Sequence, residues 1–287
     1  MLLAAMVDGW WRKQFCGMLV GAEGAVWVSG WCWRMVWGLG LECEVDGPLP
    51  DAGGGMLAVV ANHLSYLDIL VMSATQPMVM VAKSEIRGWP LLGWITAQAG
   101  TVYVQRPDAP GGRTQTHSEV NALMAEAYRS GLPVLFFPEG TTTGGETVLP
   151  FRRGLFNSVV WDGVPVTTAA LAYELGPGNA AATVAEDVCF VGDAEFAPHL
   201  FRAMGLRGLK VRVKFGGERV AGVDRFELAR EARNRVVELY EGISGVRGIE
   251  LGLDFPRALV GADAGENLFD GPVERGAAVY DEVGVGC

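Results

Sequence analysis

Two residues in this chain have the types and spacing for proton transfer: His63 and Asp68. They lie in the stretch Ala61-Asn62-His63-Leu64-Ser65-Tyr66-Leu67-Asp68, between two apolar runs. The run at 56–60 reads as a buried strand, and the one at 69–72 as the start of a helix. Sites in α/β proteins gather where strands end at their carboxyl side. An imidazole titrates near neutral pH and can take a proton from a hydroxyl. A carboxylate on its other ring nitrogen fixes the tautomer and stabilises the imidazolium. On a regular helix five steps turn about 140° past one revolution, so the pair meets only if the backbone bends between them. A strand-to-helix turn supplies that bend. A purely structural alternative has Ser65 as the helix N-cap, Asp68 as its capping-box partner and His63 at the edge of the core.

Three further stretches bear on that choice. Gly100-Thr101-Val102-Tyr103-Val104-Gln105-Arg106 is a short β-rich run ending in a cation. Phe137-Pro138-Glu139-Gly140-Thr141-Thr142-Thr143 follows the apolar run Val134-Leu135-Phe136, and Val164-Pro165-Val166 opens a later strand. In order and spacing these four stretches resemble the motifs of the glycerolipid acyltransferase family, which includes 1-acylglycerol-3-phosphate acyltransferases. Asn62, His63 and Asp68 match N-H-x-x-x-x-D, and Gly100 to Arg106 match G-x-x-[FY]-[IV]-x-R. Phe137 to Thr141 match the start of F-P-E-G-T-R-S, and Val164 to Val166 match V-P-[IV]. The resemblance spans roughly residues 50 to 240. Thr142 stands where the family usually has Arg, and Thr143 where it has Ser.

The resemblance implies an acyltransferase with His63 and Asp68 as catalytic residues. It implies that Asn62, Arg106, Glu139, Gly140, Thr141 and Thr143 bind the substrate. Arg106 would clamp an acceptor phosphate bidentately, and Glu139 and Gly140 would help hold the glycerol phosphate. It implies metal-free chemistry without a cofactor, acyl-CoA or acyl carrier protein entering as the donor. The expected acceptor is 1-acylglycerol-3-phosphate, giving phosphatidic acid. The missing arginine at 142 motivates a lyso-ornithine lipid or another lysophospholipid as the alternative. A reading of a different class is a catalytically idle membrane-binding protein of the same fold.

Composition sets wider bounds. The 287 residues are half hydrophobic, enough to bury a sizeable core. Five cysteines show no C-x-x-C spacing and suit a reducing compartment, and three scattered histidines make no His-rich metal site. The net charge is −10, of which residues 250–287 carry −6, from eight acids and two bases. That balance argues against nucleic-acid binding. A basic run, Arg202, Arg207, Lys210, Arg212 and Lys214, could meet anionic lipid headgroups or coenzyme A phosphates, or form an ordinary solvated face.

Residues 1–41 hold six of the nine tryptophans, and charged residues break their apolar sequence. They read as a membrane-associating helical hairpin in one leaflet, the indoles at the membrane–water boundary; the alternatives are a hairpin packed on the protein's own core or a single tilted span. Residues 42–249 read as the acyltransferase domain, with 42–55 a turn-rich connection. Residues 250–287 read as an acidic, Gly/Ala-rich tail that is mobile. In the body, β-like runs near 56–60, 78–82, 101–104, 133–137, 166–172, 187–191 and 211–216 alternate with helical segments. This predicts an α/β fold with a mainly parallel or mixed central sheet flanked by helices. The expected location is the cytoplasmic face of a membrane, in contact with membrane lipids and a lysolipid acceptor.

Overall fold

The structure, a computed structural model, describes residues 2–15, 21–88, 92–105, 115–179 and 181–252. Seven strands form one sheet: β1 (Glu42–Asp46), β2 (Ala58–Ala61), β3 (Val79–Lys83), β4 (Val102–Val104), β5 (Val134–Phe136), β6 (Val166–Glu174) and β7 (Lys210–Phe215). Their order is β1-β7-β6-β2-β5-β3-β4. The β6–β7 pair is antiparallel, and the other neighbours run parallel. β2 and β5 are apolar and buried at every residue, as central strands covered on both faces must be. The covering helices include α3 (Leu67–Thr75), α4 (Leu92–Gln98), α5 (His117–Tyr128), α6 (Gly154–Asp162) and α9 (Arg225–Ser244), while α7 (Val184–Asp187) and α8 (Phe196–Gly205) lie between β6 and β7 in the chain. Asp224 caps α9 by accepting the N–H groups of Phe226 and Glu227. Phe226 is exposed beneath the guanidinium groups of Arg153 and Arg225.

Two stretches depart from the sequence pattern. Residues 42–46, expected in a turn-rich connection, form β1. Their pairing with β7 is charged: Glu44 meets Lys210 at 3.2 Å and Arg212 at 3.3 Å, and Asp46 meets Lys214 at 3.3 Å. An edge strand exposed at all five residues has no apolar alternation to reveal it. The same pairs occupy three of the five cations in the basic run at 202–214, which thereby serve the sheet edge. Residues 187–191, expected as a strand, instead end α7 and continue as a loop. Its Phe190 N–H donates to the Leu64 carbonyl at 2.8 Å, and Thr142 donates its hydroxyl to the Phe190 carbonyl.

The N-terminal hairpin consists of α1 (Leu2–Phe15) and α2 (Gly21–Gly38). The tryptophans of the hairpin fall into two environments. Trp27 and Trp31 turn inward, and both indole N–H groups donate to the Asp8 carboxylate, at 2.8 and 3.0 Å. Trp27 also meets the edge of Trp94 on α4. Val28, Cys32, Met35 and Val36 of α2 join the core, where α2 packs along α3. Trp10, Trp11, Trp33 and Trp37 are each more than half exposed. No helix among the described residues is long and apolar enough to cross a membrane.

Candidate active site

Three adjacent parallel strands, β6, β2 and β5, end on the same edge of the sheet. His63 stands just past β2, Phe137 and Glu139 just past β5, and Tyr173 near the end of β6. The chain leaves β2 through a turn before α3 begins. This bend brings His63 and Asp68 together, with Nδ1 of the ring 2.8 Å from Asp68 Oδ2. An ionised carboxylate only accepts, so Nδ1 carries the proton and Nε2 keeps its lone pair. The His63 side chain is 19 % exposed and that of Asp68 is fully buried. The imidazole lies flat on Phe137, with ring centroids 4.1 Å apart and planes 12° from parallel. Nε2 is therefore the basic nitrogen of a ring fixed in both tautomer and plane.

Asp68 does more than hold the ring. Its Oδ2 also accepts the N–H groups of Leu64 at 2.7 Å and Ser65 at 2.9 Å. Its Oδ1 accepts the Tyr173 hydroxyl at 2.7 Å. One carboxylate thus shapes the turn into α3 and orients the imidazole, so the structural and the chemical readings of Asp68 describe the same group. Ser65 is not the N-cap: Tyr66 takes that position without a side-chain bond. The Ser65 hydroxyl is buried and has no hydrogen-bond partner among the described residues.

The remaining expected site residues divide. Asn62, expected to bind substrate, is held within the fold. It is buried, its amide donates to the Leu171 carbonyl at 3.0 Å, and its oxygen accepts the Leu171 N–H at 2.9 Å. Glu139 is buried as well, and both of its carboxylate oxygens meet the backbone. They accept the N–H of His63 at 2.7 Å and that of Leu149 at 2.8 Å. Thr143 is buried, donates its backbone N–H to the His63 carbonyl at 3.0 Å, and donates its hydroxyl to the Thr147 carbonyl at 3.3 Å. It too braces the loop. Thr141 is exposed at the tip of the turn. Gly140 has φ +69°, and a Cβ there would lie 2.7 Å from Nε of Arg152, whose side chain passes across it. The glycine thus lets a cation lie against the turn. Arg106 lies outside the described residues. The strand before it, β4, is three places from β2, about 14 Å across the sheet.

Two contributors carried no sequence signal. Tyr173 lies just past the run at 166–172 expected as a strand. Arg233, on α9, is 1 % exposed and donates to the carbonyls of Val148 and Leu149, bracing the segment whose N–H reaches Glu139. Both act on residues far away in sequence.

Glu139 carries a pH signature. Burial pushes its carboxyl up to about 8, assisted by the Asp68 charge and opposed by its two backbone bonds and Arg233. A carboxyl raised in this way binds its proton more tightly folded than unfolded. The stability it contributes is complete below its ordinary value of 4.5 and is lost as pH rises through about 8. The melting temperature is therefore expected to fall over that interval. Glu139→Gln should lower it at every pH, because the amide N–H faces a backbone N–H, and should reduce its dependence on pH. A Gln variant with the wild-type slope would assign the titration to another group.

The comparisons with known proteins agree with this geometry. An acyltransferase family model matches residues 43–172. A lyso-ornithine lipid O-acyltransferase from Pseudomonas aeruginosa is 34% identical over 208 residues, covering 72% of this chain and 75% of the relative. A 1-acyl-sn-glycerol-3-phosphate acyltransferase from Neisseria meningitidis is 36% identical over 179 residues, covering 62% of this chain and 65% of that protein. The fold is similar to the crystal structure of the 1-acyl-sn-glycerophosphate (LPA) acyltransferase PlsC from Thermotoga maritima. That match has a TM-score of 0.55 at 19% identity, over 78% of this chain and 80% of the other. The relative from Pseudomonas is matched over three quarters of its length, and the stretches at 62–68 and 137–143 meet at one sheet edge: the chain belongs to the acyltransferase family.

Proposed function

We propose that the protein transfers a fatty acyl group from a thioester donor, acyl-CoA or acyl carrier protein, to the free hydroxyl of a lysolipid. The observation that carries this reading is the His63 Nδ1–Asp68 bond, which leaves Nε2 as base. Nε2 takes the acceptor's hydroxyl proton as its oxygen attacks the thioester carbonyl. Asp68 stabilises the imidazolium that forms. The tetrahedral intermediate collapses, the ester forms and the thiolate leaves, taking the proton back from His63. No acyl-enzyme is needed, because the thioester is already activated, and no cofactor takes part.

The first acceptor to offer is 1-acylglycerol-3-phosphate, with Arg152 bringing positive charge to the Gly140 turn. A specific observation favours the second reading, a lyso-ornithine lipid. Thr142 replaces the family's arginine and its hydroxyl is bonded to the Phe190 carbonyl, while several relatives bear that activity in their names. Purified protein given labelled acyl-CoA and a panel of both acceptors decides between them. Transfer to lyso-ornithine lipid without transfer to lysophosphatidate rejects the first choice.

The exposed face of the hairpin supports membrane contact. A groove of about 1220 Å³ between α1 and α2 is lined by Val7, Trp11, Val26 and Trp27 among others. Deleting residues 1–41 would strip Val28, Cys32 and Met35 from the core and test folding instead of binding. Changing Trp10, Trp11, Trp33 and Trp37 together to Ser spares the core. The variant is expected to remain in the supernatant with liposomes that sediment the parent protein. Unchanged sedimentation would place the membrane contact elsewhere.

A further inference from the structure

The phenol of Tyr173 is the one donor to Asp68 that comes from outside the 63–68 turn among the described residues. It reaches Oδ1 at 2.7 Å, while the three N–H donors of the turn all converge on Oδ2. Tyr173 is itself held by the sheet, in antiparallel register with Val211 of β7. Both side chains are buried, so water does not stand in for either. Burial, joined by the Asp68 charge, pushes the phenol well above its ordinary value, and the group remains a donor throughout the working pH range.

We propose that Tyr173 is a positioning residue for acyl transfer: it pins the far oxygen of Asp68 and thereby sets how strongly His63 holds a proton. The proposal rests on His63 acting as the base. A carboxylate bonded on one oxygen alone can turn about its last torsion and carry the ring with it. A donor on the opposite side stops that rotation. It also draws negative charge toward Oδ1 and away from the imidazole. Without the hydroxyl, charge gathers on Oδ2, the imidazolium is favoured, and a higher pH is needed to free the base.

Tyr173→Phe keeps the ring and removes the donor. The expected result is a fall in kcat of about tenfold at neutral pH. The acid limb of the kcat/KM profile should move up by about half to one pH unit, with both KM values within about twofold. Placing 3-fluorotyrosine at position 173 keeps the donor and makes it more acidic, so the acid limb should move the opposite way. This second variant retains the native bond and guards against a Phe variant that fails to fold. A double-mutant cycle completes the test. In an Asp68→Asn background, Tyr173→Phe should cost less than it does alone, because the two act through one contact. Unshifted profiles in both Tyr173 variants, or losses that simply multiply in the cycle, overturn the proposal. If His63→Ala retains activity, the underlying reading fails first. If His63→Ala is inactive and the profiles stay put, only the role of Tyr173 fails.

Discussion

Replacing His63 by Ala is expected to lower acyl transfer by about 10³–10⁴-fold, the upper range for losing a positioned general base. The loss should lie in kcat, because the imidazole acts as the hydroxyl oxygen attacks and adds little to ground-state binding. The fold should survive. The His63 side chain is partly exposed, and the anchors of its turn are its backbone N–H on Glu139 and its carbonyl on Thr143, which an alanine retains. Circular dichroism and liposome sedimentation should therefore match those of the parent. A variant with a tenth or more of the parent rate would mean that another group takes the proton. A parent protein that transfers to no acceptor offered would leave the idle membrane-binding alternative as the better account.

Asp68→Asn should cost about 10²–10³-fold in kcat. Its contacts make this an informative exchange. The amide oxygen can take over the three N–H bonds of His63, Leu64 and Ser65. The amide nitrogen then faces the Tyr173 hydroxyl, which accepts as well as donates. Geometry and tautomer are kept and the negative charge is lost. The rate loss thus reports how far Asp68 stabilises the imidazolium, separate from its work at the start of α3. Asp68→Ala removes both roles and leaves two buried backbone N–H groups without an acceptor, at about 1–3 kcal/mol each. A rate for Asp68→Asn within tenfold of the parent, with a lowered melting temperature, would make Asp68 a turn residue only.

These two substitutions address a site whose centre could be found by reading along the chain. His63 and Asp68 are five residues apart, and a strand running into a helix required the bend that joins them. The alternation of apolar runs likewise indicated a largely parallel sheet with helical cover. Elements that depend on a distant partner gave no such signal. β1 has charged side chains that make sense only beside Lys210, Arg212 and Lys214 of β7. The run at 187–191 is apolar because it packs on the catalytic turn, not because it joins the sheet.

By itself, the sequence determined that a histidine and an aspartate come together where a strand ends, because periodicity and short-range spacing are local properties of a chain. The tertiary structure decided which partners the polar side chains find. Asn62 and Glu139 bond to the backbone of Leu171, His63 and Leu149. Tyr173 stands 105 residues from Asp68 in sequence and 2.7 Å away in space. A buried polar atom must find a partner wherever the fold brings one, and no spacing rule along the chain connects those two positions.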